Sequence, residues 1–329
     1  MKAIQVEKFG GPQELKLREV AAPEPREGEA LVRMGIAGVN YIDVYMRDGT
    51  YARSHTYRTP LPMTLGMEGA GIVAKLGPAV SVLKEGDSVA YCLSRGSYAE
   101  YATVPAWKLV PVPAGVPLSV ATALMLQGST AHYLSHSAFA LRPGHTCLVH
   151  AGAGGVGQLL IQLAKRAGAT VITTVGTEEK AQIARQRGAD HAILYRGVDF
   201  RSEVMRITGN KGVDVVYDSV GRDTLMRSLR SLTRRGVCIS FGASSGQPEP
   251  VALLDLAEAG SVFLTRPHLA DYMASAEEIR SRAADLFDAY RSGALAVVID
   301  AEYPLAEATA AHTALEGRRS RGKLLLRVS

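Results

Sequence analysis

The segment with the clearest chemical meaning is AGAGGVG at 151–157. Gly152, Gly154 and Gly157 satisfy the spacing G-x-G-x-x-G, a weak pattern when it stands alone. Here it follows a strand-like run, TCLVHA (146–151), and opens a stretch near 155–167 that reads as a helix. In that setting the first glycine permits a tight turn and the second admits a pyrophosphate to the backbone. The third lets the helix pack on the sheet. The helix start offers free N–H groups and partial positive charge to phosphates. Gly152, Gly154, Gly155, Val156 and Gly157 are therefore expected to hold a dinucleotide; the plain alternative is an ordinary glycine-rich turn.

The end of the next strand chooses between NAD and NADP. An NAD site usually places Asp or Glu there, on the ribose 2′-hydroxyl. Here the position falls near Gly176, in TTVGTEEKAQ. Glycine removes both that hydrogen bond and the repulsion against a 2′-phosphate. Lys180 follows in the first turn of the next predicted helix. Glu178 and Glu179 argue the other way, but acids are also common at helix starts for their own reason. The expected cofactor is NADPH.

These residues need a scaffold, and the chain supplies one in three zones. Residues 1–125 are rich in short strand-like segments, 30–36, 69–76 and 98–104 among them, separated by Gly and Pro. In residues 126–265 apolar runs (146–151, 170–175, 191–195, 213–219, 237–242) alternate with helical patterns. Val156, Leu159, Leu160, Leu163, Ala164 and Ala167 share one helical face. The alternation predicts an α/β fold, a doubly wound parallel sheet of Rossmann type. Residues 266–329 hold an amphipathic helix near 275–291, a strand near 296–300, a helix near 304–316 and a strand at 323–328. This tail is too short to stand alone and is expected to rejoin the first zone.

With 329 residues, 47% hydrophobic and 21% charged, the chain has room for two ordinary globular domains. Its net charge of +5 is a mild excess that could draw in an anionic cofactor. One Trp and six Phe give an aromatic-and-basic nucleic-acid surface little support. Cys92, Cys147 and Cys238 are odd in number and widely spaced, so a reducing cytoplasm is expected rather than a disulfide framework. The first residues show no signal-peptide pattern. Residues 109–141 lack Asp, Glu, Lys and Arg, yet contain three prolines and two histidines. They read as buried helices rather than a membrane span.

Over nearly its full length the chain resembles the medium-chain dehydrogenase/reductase superfamily, which implies a β-rich GroES-like domain (1–125 and 266–329) and a Rossmann domain (126–265). Zinc alcohol dehydrogenases there carry a catalytic Cys in a segment like GV-C-x-x-D and a His in a GHE segment. This sequence has GVNYID (38–43) and GME (66–68), so Asn40 and Met67 stand at those positions. Neither is a good zinc ligand, and the four-cysteine structural lobe is missing. No metal is expected. Without a Lewis acid to stabilise an alkoxide, acceptors that delocalise charge fit better than simple ketones.

The finer resemblance is to zinc-free NADPH:quinone oxidoreductases related to zeta-crystallin. It rests on NYIDVYMRDGTY (40–51), TVGTEEKAQ (174–182), VVYDSVGRDT (215–224), SFGASSG (240–246) and LTRPHL (264–269). It implies that Lys180, Tyr195 and Arg318 hold the 2′-phosphate, with Gly176 making room. It implies that Asn40, Tyr41, Ile42, Asp43 and Tyr45 lie beside the nicotinamide and substrate. Thr130, Ser219, Phe241, Gly242, Ala243, Phe263 and Thr265 fall at further cofactor positions; relatives often have Asn at the Ala243 position. Asn40, Tyr45 and Tyr51 are the candidates for orienting a quinone oxygen in a cleft between the domains. Plainer roles compete: packing for Tyr45 and Tyr51, helix capping for Asp43, a strand-end ring for Tyr195, a surface charge for Arg318. The segment 51–62 reads as longer and more basic than usual.

The implied activity is quinone reduction by hydride or one-electron transfer. The alternatives are an alkenal or enone reductase and a nucleotide-binding protein without catalysis. A homodimer is implied, with the strand near 260–265 as its pairing edge.

Overall fold

The computed structural model describes residues 1–328 and divides into two compact units, Met1–Ser129 with Met273–Ser329, and Thr130–Tyr272. The sequence placed these breaks at 125/126 and 265/266.

The first unit is built on antiparallel pairing. Its strands are β1 (Lys2–Val6), β2 (Lys16–Glu19), β3 (Glu29–Val39), β4 (Met63–Thr64), β5 (Glu68–Leu76), β6 (Ser88–Cys92), β7 (Tyr101–Pro105) and β8 (Val110–Pro111), with β15 (Ile299–Pro304) and β16 (Lys323–Arg327) from the returning tail. A small sheet runs β2-β1-β4. The larger runs β15-β16-β3-β5-β6-β8, with β7 also on β3. The tail thus joins this unit through β16, which pairs Leu324–Arg327 with Val39–Ile36 of β3. Ala30, Val32 and Met34 of β3 pack with Val73, Val89, Tyr91 and Val104 to form the core. The unit also holds α1 (Tyr41–Arg47), α2 (Leu118–Ala123), α9 (Ala276–Arg291) and α10 (Ala308–Glu316).

The second unit has one six-stranded sheet, ordered β11-β10-β9-β12-β13-β14, with every neighbouring pair parallel. These are β9 (Thr146–His150), β10 (Thr170–Val175), β11 (His191–Leu194), β12 (Val213–Asp218), β13 (Leu232–Ser240) and β14 (Phe263–Thr265). Helices α3 (Ser129–Tyr133), α4 (Gly155–Arg166), α5 (Glu178–Gln186), α6 (Phe200–Ile207), α7 (Leu225–Leu229) and α8 (Leu253–Glu258) connect or flank them. Central strands are apolar on both faces, as a sheet covered on both sides requires. Leu148, Ile172, Ile193, Val216 and Cys238 meet Phe200, Val204 and Leu229 in one core. Cys147 is fully buried, which is the core role.

The charge-free stretch becomes short helices. A π-helical turn, Leu124–Gly128, follows α2, and another, Leu134–Ala138, follows α3. No helix among the described residues is long and apolar enough to cross a membrane.

Candidate active site

Because the strands of the second unit are parallel, their carboxyl ends share one edge, where open α/β sheets bind ligands. Strand order reverses between β9 and β12, and the glycine loop leaves β9 at that point. Gly154 is the N-cap of α4. A Cβ at Gly157 would collide with the carbonyl of Ala151 and come within 2.8 Å of Gly152 Cα. The loop is therefore compact enough only for glycine, and the first N–H groups of α4 stay open to an anion.

Five other predicted cofactor positions gather on the same edge: Gly176 after β10, Tyr195 after β11, Ser219 after β12, and Phe241 and Gly242 after β13. Ala243 follows and is buried. The loop after β12 is shaped from below by Asp218. Its Oδ1 accepts the N–H of Val220 (2.8 Å) and Gly221 (3.0 Å) and the Thr224 hydroxyl (2.9 Å). Its Oδ2 accepts the Ser228 hydroxyl at 2.8 Å, which in turn meets His150 Nε2 at 3.0 Å. Burial pushes the His150 pKa down, so it serves as a neutral strut.

Gly176 lies in a cationic corner. A Cβ built there would sit 3.2 Å from the Tyr195 hydroxyl and 3.4 Å from Arg196 Nε. Arg196 was not foreseen; its only signal was a basic residue after a strand-end tyrosine. Lys180 lies in the first turn of α5, whose N-cap Thr177 accepts the Lys180 N–H. Glu178 is drawn into an ion pair with Arg185 at 2.6 Å, which weakens its objection to a 2′-phosphate.

Phe263 is 61% exposed on β14, the outermost strand, and Thr265 is exposed too. Phe263 is a surface ring at a sheet edge. Thr130 is buried on α3.

In the first unit the segment 40–51 folds as α1. Asn40 is its N-cap, and a capping box ties it to Asp43: the Asn40 N–H donates to Asp43 Oδ2 at 2.9 Å. Asp43 Oδ1 accepts the Met67 N–H at 3.0 Å, and Tyr98 donates to Oδ2 at 3.3 Å. Asp43 has no exposed surface, and burial raises its pKa to about 7 against the opposing pull of the Asn40 and Tyr98 hydrogen bonds and of Lys323. Its carboxylate serves as the cap of α1.

Asn40 is likewise held inside the fold. Its Nδ2 donates to Glu68 Oε2 at 2.9 Å, and its Oδ1 accepts from Lys323 Nζ at 2.8 Å. With 3% exposure and its amide used inside the fold, it positions α1. Glu68 and Lys323 were missed because one follows a methionine of interest and the other opens an apolar strand.

Tyr45 packs between Tyr41 and Tyr51, with ring centroids 5.9 and 5.4 Å away, and Tyr57 stacks on Tyr51 at 5.3 Å. Tyr41 and Tyr51 are half-buried, and Ile42 beside them is too. The Tyr41 hydroxyl donates to the Leu315 carbonyl at 3.4 Å, near the end of α10. Arg318 follows that helix in a left-handed conformation (φ +55°), exposed. Burial raises the Tyr41 pKa, and the Arg318 charge opposes the rise.

A zinc-dependent relative would hold its metal at the Asn40 and Met67 positions, and the residues here do not fit one. An amide and a thioether replace the ligands, and a buried ammonium, Lys323, already sits on Asn40 Oδ1 and Glu68. A second cation would be repelled there.

Known proteins match this arrangement throughout. Residues 26–114 match the alcohol dehydrogenase GroES-like domain, and residues 155–289 match the zinc-binding dehydrogenase family. Quinone oxidoreductase 1 of Escherichia coli strain K12 is 42% identical over 98% of each chain. The chain belongs to the quinone oxidoreductase family. A 2-haloacrylate reductase from a Burkholderia species is 41% identical, again over 98% of each chain. Among structures of the quinone oxidoreductase family, the Escherichia coli enzyme complexed with NADPH superposes at a TM-score of 0.95, with 41% identity and full coverage of both chains. The family's medium-chain dehydrogenase/reductase fold, Rossmann and GroES-like, is thereby that of this chain.

Proposed function

We propose that this chain reduces quinones with NADPH and without a metal. The observation that carries the reading is the Lys323 ammonium on Asn40, where metal-dependent relatives would hold zinc. With no Lewis acid to gather charge on one oxygen, the acceptor must spread it, and a quinone does so over its ring. When bound, NADPH would supply the hydride; the protein supplies placement.

The glycine loop and the start of α4 take the pyrophosphate. Gly176, Lys180, Tyr195 and Arg196 select the 2′-phosphate, and Arg318 is assigned to it by family resemblance. Ser219, Phe241, Gly242 and Thr265, at the carboxyl ends of their strands, are kept as further contacts, with Thr130. Tyr45 and Tyr51 orient the acceptor from α1 and the turn after it. Asn40 holds that helix in place. A second reading, reduction of electron-poor alkenes, is favoured by the 2-haloacrylate reductase among the relatives.

The test is oxidation of NADPH with a panel of quinones and enones, with and without a chelator. Chelator-insensitive turnover that is highest on quinones supports the reading. Highest kcat/KM on enones selects the second, and loss of activity with chelator sinks the metal-free mechanism.

We further propose a homodimer joined through β14. That strand ends the sheet, and Phe263 on it and Leu253 and Leu254 of α8 are exposed apolar side chains. Phe263→Glu should yield a monomer in sedimentation; a parent protein that sediments as a monomer refutes the pairing. Three buried free cysteines support a reducing, cytoplasmic setting.

A further inference from the structure

The row Tyr45–Tyr51–Tyr57 ends in an unusual segment. Residues 51–62, YARSHTYRTPLP, contain Arg53, His55 and Arg58 and no acid. Tyr57 is buried under the stacked Tyr51 ring, while Arg53, His55 and Arg58 are exposed. Next to them lies Arg95, in the loop that follows β6. Its Nη1 donates to the Arg58 carbonyl at 2.7 Å, which fixes the guanidinium one residue beyond the last ring of the row.

The loop that carries Arg95 is itself fixed. The Leu93 N–H donates to the Met67 carbonyl at 2.7 Å, and the Gly96 N–H to the Gly66 carbonyl at 2.8 Å. The backbone around Met67, which also receives Asp43, thus holds both α1 and the Arg95 loop. These groups are not independent surface charges; they share one frame.

Among the described residues no carboxylate pairs with Arg53, Arg58 or Arg95. Arg95 is half-buried, and loss of solvent lowers its pKa. A partly desolvated cation without a counter-ion is costly to keep, and a clamp on one carbonyl does not require a charge. A planar guanidinium with free donors is suited to a carboxylate or sulfonate.

We infer that Arg95, with Arg58 beside it, selects acceptors that carry an anionic group, so that the preferred substrates are planar, electron-poor molecules bearing a carboxylate or sulfonate. This rests on the proposed acceptor-reducing site: the tyrosine row takes the ring and the arginines take the charge. Arg53 adds a positive field at the same rim, and no described acid in the segment offsets it.

The test compares a neutral naphthoquinone with its sulfonated counterpart, in the parent protein and in Arg95→Gln and Arg58→Gln. Arg58→Gln leaves the backbone clamp intact, so it answers the question if Arg95→Gln folds poorly. The parent should show a KM about tenfold lower for the sulfonate, the size of one charge-assisted hydrogen bond. That ratio should fall toward one in Arg95→Gln and partly in Arg58→Gln, and it should shrink as salt is raised. Loss of clamping alone would move both KM values together. Turnover of both quinones with no charge preference, or a preference that survives in both variants, overturns the inference alone. No turnover of either acceptor overturns it together with the function it rests on.

Discussion

The Lys323 ammonium lies against the Glu68 carboxylate, with the two side chains 1% and 0% exposed. Asn40 closes the triangle by accepting from one and donating to the other. Glu68 Oε1 also accepts the Leu126 N–H at 2.6 Å, tying the π turn after α2 to the same cluster. The cluster anchors the amino end of α1. At the carboxyl end, Arg47 makes a two-pronged pair with Glu316 of α10 at 2.7 and 3.0 Å. The helix that carries Tyr41 and Tyr45 is thus pinned at both ends by charged groups.

Removing one member of a buried pair leaves the other uncompensated. Lys323→Met or Glu68→Gln alone should cost about 3–5 kcal/mol of stability. Glu68→Gln with Lys323→Met should recover most of that loss, because two neutral groups of similar size replace the pair. Denaturant unfolding of the three variants decides it. Single variants within about 1 kcal/mol of the parent would show that the pair does not hold the fold.

The sequence made the second unit readable and the first much less so. Parallel strands buried on both faces leave continuous apolar runs, and a glycine loop between strand and helix announces itself. Helix α1 was not legible as a helix: NYIDVYMR has two tyrosines and a β-branched pair, and its start is fixed by the reciprocal cap of Asn40 and Asp43. Residue identity pointed to Asn40 and Asp43 as site residues, but it could not show the tertiary pairing that ties both side chains into the fold. Their partners Glu68, Tyr98 and Lys323 are 28 to 283 positions away in sequence, out of reach of any local pattern. Arg196 and Arg95 were passed over because an isolated arginine usually reports only a wet surface.

The corner at Gly176 predicts the behaviour of cofactor variants. Lys180→Glu should raise the KM for NADPH about tenfold or more while changing that for NADH little, since a charged hydrogen bond contributes about 1.5–3 kcal/mol. Arg196→Ala should act in the same direction. Gly176→Asp should shift preference toward NADH, its carboxylate meeting the Tyr195 hydroxyl and Arg196. Equal KM changes for both nucleotides in Lys180→Glu would remove the 2′-phosphate assignment.

Gly157→Ala should damage the glycine loop itself. The added methyl meets the backbone of Ala151 and Gly152, which cannot swing aside as a flexible side chain can. A loss of roughly 1–3 kcal/mol in stability is expected, with NADPH affinity reduced at least tenfold. Gly154→Ala is the control, because its nearest contact is a milder 3.2 Å to the Ala151 carbonyl. Calorimetric melting and nucleotide titration should separate the two variants; equal behaviour would mean that the loop has slack.

Asp43 and His312 should oppose each other in the pH dependence of stability. They are joined through Tyr98, whose hydroxyl lies 3.3 Å from Asp43 Oδ2 and 3.1 Å from His312 Nε2. Burial raises the Asp43 pKa from 3.8 to about 7. Its contribution is complete at low pH and is lost as pH rises through that window, because the folded state holds a proton that the unfolded state has released. Burial, aided by Arg47, lowers the His312 pKa from 6.5 to about 3. Its contribution is present above 6.5 and is lost as pH falls, because only the unfolded state takes up the proton. Between about pH 4 and 6.5 the two slopes cancel, each near 1.4 kcal/mol per pH unit. Asp43→Asn should therefore expose the His312 slope, with stability falling relative to the parent as the solution is acidified. His312→Gln should expose the other, with stability rising relative to the parent over the same range. Unfolding free energies measured at intervals through this range test the pair by slope, which any constant cost of the substitutions leaves untouched. Parallel curves for both variants and the parent would show that neither group changes its proton occupancy on folding.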